Sequence, residues 1–170
     1  MSKFFENVKT AEELKKAYHK LAIKLHPDNG GNEDMFKAMQ AEFSKLWERL
    51  KNIHVAQDGT SYEATGDKAT TETAAEFMDI ISKLMFIDDL EVELCGSWIW
   101  VGGNSYPHRE LLKALNFNWS KDKKRWYFCK DLKFSPYRKG SYSMKKIRST
   151  WGSQVFKGTA EQEYLEGATA

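Results

Sequence analysis

From Ala11 to Leu25 the apolar residues Leu14, Ala17, Tyr18, Leu21, Ala22 and Leu25 return at three- and four-residue intervals, which predicts one face of a helix. Thr10 and Glu13 stand in the T-x-x-E order of a capping box, which satisfies free N–H groups at a helix start. Pro27 cannot continue that helix and biases His26 away from helical geometry. Asn29-Gly30-Gly31 then permits a tight return. Asn32 is placed to cap a second helix, with Glu33 and Asp34 in its first turn, where the helix dipole favours negative charge. Phe36, Met39, Phe43, Leu46 and Leu50 carry its apolar stripe to about Lys51. The two stripes predict a helical hairpin, with Phe4, Phe5 and Val8 completing its core from a short first helix.

The pattern then changes. Val55 to Thr73 is rich in Gly, Thr, Ala and Asp and poor in large apolar residues, which predicts a flexible linker. Phe77, Ile80, Ile81, Leu84 and Met85 fall on one helical face, which packing on a C-terminal module or dimerisation would bury, packing within the chain being the stronger expectation because a small module needs the area. Leu90–Cys95 and Ser97–Val101 alternate at period two about Gly96, a hairpin pattern. Ser105 and Pro107 open a helix running to about Leu115. Phe117 to Lys130 predicts a second hairpin, turning through Ser120 to Lys124. A loop follows, then a short amphipathic helix carrying Met144, Ile147 and Trp151. The fold class is α+β, with a helical domain at 1–54, a linker at 55–73, a β-β-α-β-β module with a basic extension at 74–157, and a disordered tail at 158–170.

Charge divides the chain more sharply than its net of +2 shows. Residues 1–54 carry ten Lys/Arg against eight Asp/Glu, residues 55–100 two against ten, and residues 101–149 thirteen against three. A basic block of that kind invites an anionic partner, the alternative being that it pairs with the acidic segment before it. Two cysteines (Cys95, Cys129) and four scattered histidines carry no zinc spacing and no disulfide framework. No apolar run approaches the roughly 18 residues of a membrane span. The expectation is a cytoplasmic, reduced protein without metal, cofactor, membrane or small-molecule substrate.

On the first helix Lys16, Lys20 and Lys24 make a basic stripe, with Lys15 and His19 beside it. Like charges at this spacing repel by a few tenths of a kcal/mol per pair, so the stripe suggests an acidic partner, a solvated face being the alternative. The stripe leads directly into His26-Pro27-Asp28. Together, LKKAYHKLAIKLHPD and FKAMQAEFSKLWE resemble the second and third helices of the J-domain, the module that drives DnaK-type chaperones. The resemblance covers about 50 of the 170 residues. It implies a co-chaperone that stimulates ATP hydrolysis, with His26, Pro27 and Asp28 as the contact loop and Tyr18, Lys15, His19, Lys20 and Lys24 as the helical contact surface. The spacing HPD-x-G-G is closest to truncated J-domains of the polyomavirus T-antigen, phage and mobile-element type. The usual "GV" turn is absent, and no fourth helix is expected after Lys51.

In the C-terminal block Trp98, Trp100, Trp119, Trp126 and Tyr127 interleave with Arg109, Lys113, Lys121, Lys123, Lys124 and Arg125. Rings for base stacking and cations for phosphates are what single-stranded nucleic acid needs. Arg109, Lys113, Lys121, Lys123, Lys124, Arg125 and Tyr127 are therefore candidate contacts to DNA, RNA or a nucleoprotein client, the alternative to the co-chaperone being a nucleic-acid-binding accessory protein of a phage or mobile element in which the helical hairpin is only a docking element. Strand tryptophans in so small a module are also its natural core, which is the stronger expectation for Trp98 and Trp126. Lys133, Arg138, Lys139, Lys145, Lys146 and Arg148 extend the charge. SWIWV, SYPHRELLKALNFNW and KKRWYF are similar to a small module of phage and mobile-element proteins, and weakly to the HARP module of annealing helicases, which binds branched DNA. His108-Arg109-Glu110 has no nucleophile, second acid or metal set in its sequence neighbourhood, so no enzymatic centre is expected.

Overall fold

The computed structural model describes residues 3–56, 58–131, 142–157 and 160–162, and the chain divides into two units, 1–85 and 86–170. It is an α+β protein, helical first and β-rich after.

In the first unit the Thr10 hydroxyl accepts from the Glu13 N–H at 3.3 Å, while the Glu13 carboxylate accepts from the Thr10 N–H at 3.2 Å. This box starts helix α1, Ala11–Leu25. Helix α2, Glu33–Leu50, is capped by Asn32, whose Oδ1 accepts from the Met35 N–H at 2.9 Å. Its fully buried positions are Met39, Phe43 and Trp47, four residues apart, whereas Phe36, Leu46 and Leu50 are half-buried. The stripe is thus rotated toward Trp47. The Phe43 ring is the centre of the core, 4.5 Å from Tyr18, 5.7 Å from Phe77, 5.8 Å from Trp47 and 6.1 Å from Phe5.

Three expectations for this unit are corrected. No first helix forms over Phe4, Phe5 and Val8. The N–H groups of Lys3, Phe4 and Phe5 instead donate to the Glu42 carboxylate at 3.1–3.3 Å, and Asn7 turns the chain at φ +62°. The segment expected as a linker is folded back on the helices. Strand β1, Ile53–Val55, pairs antiparallel with β2, Ser61–Glu63, and Asn52 accepts from Ala64 at its carbonyl (2.7 Å) and from Thr70 at its side chain (2.9 Å). His54 and Glu12 pair at 2.7 Å, tying β1 to α1. Polar bonds replace the apolar area whose lack suggested flexibility. Helix α3, Ala74–Leu84, expected to begin the C-terminal module, opens with its own capping box at Thr73 and Glu76, packs on α2 and belongs to the first unit.

The second unit is an antiparallel six-stranded sheet in the order β5-β6-β4-β3-β7-β8. β3 is Leu90–Cys95, β4 Trp98–Gly103, β5 Asn118–Ser120, β6 Arg125–Phe128, β7 Gln154–Lys157 and β8 Ala160–Gln162. Alternation puts Leu90, Val92, Leu94, Ile99, Val101, Trp126 and Phe128 on one buried face. The other face carries Glu91, Glu93, Cys95, Trp98, Trp100, Arg125 and Tyr127. Helix α4, Arg109–Ala114, ends at Asn116 in left-handed geometry (φ +63°), where the Phe117 N–H reaches the Leu112 carbonyl. Helix α5, Met144–Trp151, forms where the amphipathic pattern predicts it. β7 was not predicted, because four residues are too short for a period-two signal, yet Val155 and Phe156 are buried beside β3. In the tail expected to be disordered, Ala160–Gln162 pair with β7, and the rest of 158–170 lies outside the described residues. So do Lys133, Arg138 and Lys139.

Candidate functional site

The turn between α1 and α2 is built around the His26 carbonyl, which accepts from the N–H groups of both Asn29 and Gly31 at 3.0 Å. Pro27–Asn29 form a single 3-10 turn, which Gly30 leaves at φ +77°. Gly31 is required by space: a Cβ there would meet the Leu25 backbone carbonyl at 2.2 Å. The Asn29 side-chain amide donates to the Ile23 carbonyl at 2.8 Å, anchoring the turn to α1. His26 Nδ1 accepts from the Asp28 N–H at 3.2 Å, a bond that requires the ring proton on Nε2. The same ring stands edge-on to Phe36, with centroids 5.0 Å apart. Pinned this way, the histidine orients the turn, and the Asp28 carboxylate projects with 76% of its side chain exposed. Proline rigidity, an oriented imidazole and an outward carboxylate are a preorganised anionic contact point.

Beside it on α1, Lys24 is exposed and Lys16 and Lys20 are half-exposed. A model of the DnaJ domain matches residues 5–54, the span of this turn and its two helices. Residues 5–54 are a J-domain. Among curated relatives, the "Chaperone protein dnaJ 6" of Arabidopsis thaliana is 31% identical over 132 residues, 75% of this chain and 44% of its own length. The human "DnaJ homolog subfamily C member 18" is 42% identical over 66 residues, 37% of this chain and 16% of its own. The "Chaperone protein DnaJ" of Acetobacter pasteurianus is 38% identical over 60 residues, covering 35% and 15%. The chain thus spans less than half the length of these relatives. No solved structure is significantly similar to it.

The J-domain presents only part of the surface expected of it. Lys15, Tyr18 and His19 are buried, at 4%, 1% and 0% exposure. The Lys15 ammonium pairs with the Glu72 carboxylate and lies 5.3 Å from the centre of the Trp47 ring and 5.0 Å from that of Phe77. Burial lowers the His19 pKa to about 3, so its ring is neutral. For Lys15 and Tyr18 the physical reason is α3 with the segment before it, which a two-helix hairpin lacks. Glu72 and Trp47 are the residues that sequence reasoning missed here, whereas Phe77 was read on its helical face but not placed over α1. The four-residue spacing from Phe43 to Trp47 was the available signal for Trp47, and Glu72 had none.

In the second unit the candidate nucleic-acid residues lie on two elements, helix α4 and the β5–β6 hairpin. Arg109 and Lys113 lie on α4, each 3.5 Å from Glu110, with the Arg109 guanidinium 4.5 Å from the centre of the Tyr106 ring. Arg125 reaches Glu91 at 3.4 Å, crossing Gly102, where a Cβ would meet its guanidinium at 2.3 Å. Lys123 sits 5.7 Å from the Trp100 ring centre, and Tyr127 packs 5.7 Å from Trp98 and 5.6 Å from Trp100. Lys121 and Lys124 are exposed at the turn. Trp126 is buried as expected of core, and Trp98 is half-buried. Missed altogether was Glu93, 0% exposed, which binds Arg148 at 2.6 and 2.8 Å and accepts from the Ser153 hydroxyl. Burial raises its pKa, but Arg148, Ser153 and Arg125 outweigh that and hold it below the usual range. Among the described residues no His, Cys, Asp and Glu group could hold a metal ion, and no helix is long and apolar enough to cross a membrane.

Proposed function

We propose that this chain is a co-chaperone that binds a DnaK-type chaperone and stimulates its ATP hydrolysis, without a catalytic centre of its own. The observation that carries this reading is the turn itself: in a J-domain, His26 is pinned by Asp28 and Phe36 so that the Asp28 carboxylate is held outward, and it follows a helix whose Lys20 and Lys24 are accessible. Asp28 supplies charge for a cation on the chaperone, Pro27 supplies rigidity, and His26 supplies orientation. Single-turnover ATP hydrolysis by a bacterial DnaK tests it, with the wild type beside His26→Gln. Stimulation by the wild type alone, with equal helical circular dichroism, is the expected result. Equal rates with and without the wild-type chain reject it.

The second unit has the role of choosing the client in this reading. A nucleoprotein client is favoured only by the exposed cations Lys121, Lys124, Lys145 and Lys146 and the exposed rings Trp119 and Tyr142. Binding of a labelled single-stranded oligonucleotide that weakens steeply with salt supports it. Retained affinity after neutralising Lys121 and Lys124 counts against it.

A further inference from the structure

We propose that Glu72 and helix α3 are a built-in cover over the α1 half of the chaperone surface, so that the resting chain offers the triplet and the Lys16–Lys20–Lys24 edge but withholds Lys15 and Tyr18. The inference rests on the co-chaperone reading above. Its geometry is independent of that reading.

The cover is held at three points. The Glu72 carboxylate takes the Lys15 ammonium, and the Glu72 carbonyl accepts from Trp47 Nε1 at 2.9 Å. Phe77 closes over the hairpin, 5.9 Å from Tyr18 and 5.7 Å from Phe43. The charge is complementary as well: residues 55–85 carry six Asp/Glu against two Lys/Arg, opposite a helix with four lysines. A carboxylate here takes the lysine that an acidic chaperone surface would take. The two contacts are mutually exclusive at Lys15, because at 4% exposure its ammonium is closed to a partner outside the chain while Glu72 holds it. Linkage follows: chaperone binding to the full surface must displace α3, and its apparent affinity falls by the fraction of molecules that are open.

The test uses the full chain with bacterial DnaK. Glu72→Lys places a cation against Lys15 and lifts the cover while leaving every proposed contact residue in place. The expected result is half-maximal stimulation at a concentration about tenfold lower than wild type, as follows if about a tenth of wild-type molecules are open. Adding His26→Gln should abolish it. Unchanged or weaker stimulation by a Glu72→Lys chain of normal helix content overturns the cover alone. Should that variant lose its helix content, hydrogen exchange on the wild type decides. Faster exchange in residues 74–84 on adding the chaperone supports the cover, and unchanged or slower exchange overturns it. No stimulation by wild type or variant overturns the co-chaperone reading and the cover with it.

Discussion

The ammonium of Lys15 and the carboxylate of Glu72, 57 residues apart in sequence, meet as a buried ion pair between α1 and the segment leading into α3. Neither side chain is more than 5% exposed, so the pair is shielded from water. Removing one partner strands the other, a loss of about 3–5 kcal/mol, whereas replacing both by apolar residues can be nearly neutral. Glu72→Ala is therefore expected to lower the protection of α1 amides in hydrogen exchange, and Lys15→Met with Glu72→Leu to restore most of it. Equal protection in Glu72→Ala and wild type would show the pair to be loosely solvated.

His19 makes the first unit sensitive to acid. Its pKa is lowered from 6.5 to about 3 in the folded state, so between those values the unfolded chain binds the extra proton. Stability from this group is present in full above pH 6.5 and falls as pH drops toward 3. The slope approaches 1.4 kcal/mol per pH unit, amounting to about 2 kcal/mol at pH 5. The measurement is α1 protection at pH 7 and pH 5 in wild type and His19→Leu. The substituted chain is expected to lose that part of the pH dependence.

These two residues also show where sequence reading stops. The capping box at Thr10, the break at Pro27 and the start at Asn32 are local chemistry, and all three stand where the residues place them. So do both hairpins flanking α4, the first written in period-two alternation and the second in its polar turn from Ser120 to Lys124. Lys15 and His19 look solvated because a helical wheel prices their charge without knowing what arrives from elsewhere. The cover of Lys15 comes through a segment whose composition resembles a linker and whose order rests on Asn52, His54 and Glu72, polar residues with no periodicity. β7 reaches β3 from about 60 residues away, and its four residues leave no local trace.

At the turn, two adjacent glycines answer to different constraints. Gly30 needs only its positive φ, and a Cβ there meets open space, so Gly30→Ala is expected to cost about 1–2 kcal/mol. Gly31→Ala would drive a Cβ into the Leu25 backbone at 2.2 Å and force the end of α1 to move. The expected order of chaperone stimulation is wild type, then Gly30→Ala, then Gly31→Ala, the last near that of His26→Gln. A Gly31→Ala chain with full stimulation would show that the turn tolerates displacement of the triplet.

In the second unit Glu93 joins three elements at one buried carboxylate: it stands on β3, Arg148 reaches it from α5, and Ser153 from the entry to β7. The same carboxylate lies 3.4 Å from the Cys95 thiol, whose pKa is pushed up to about 12 by burial and then by the Glu93 charge. A thiol so placed holds almost no thiolate at pH 8, and thiolate is the reactive form. Native protein should therefore titrate about one thiol with a disulfide reagent, the half-buried Cys129, and both in denaturant. Arg148→Ala removes the strongest partner of Glu93 and leaves a buried carboxylate under-compensated, at a cost of about 3 kcal/mol or more. α5 and β7 should then open together, and Cys95 should become reactive through that opening at a rate that rises as the unit is destabilised. If Cys95 reacts as fast as Cys129 in the wild type, the Glu93 cluster is not closed in solution.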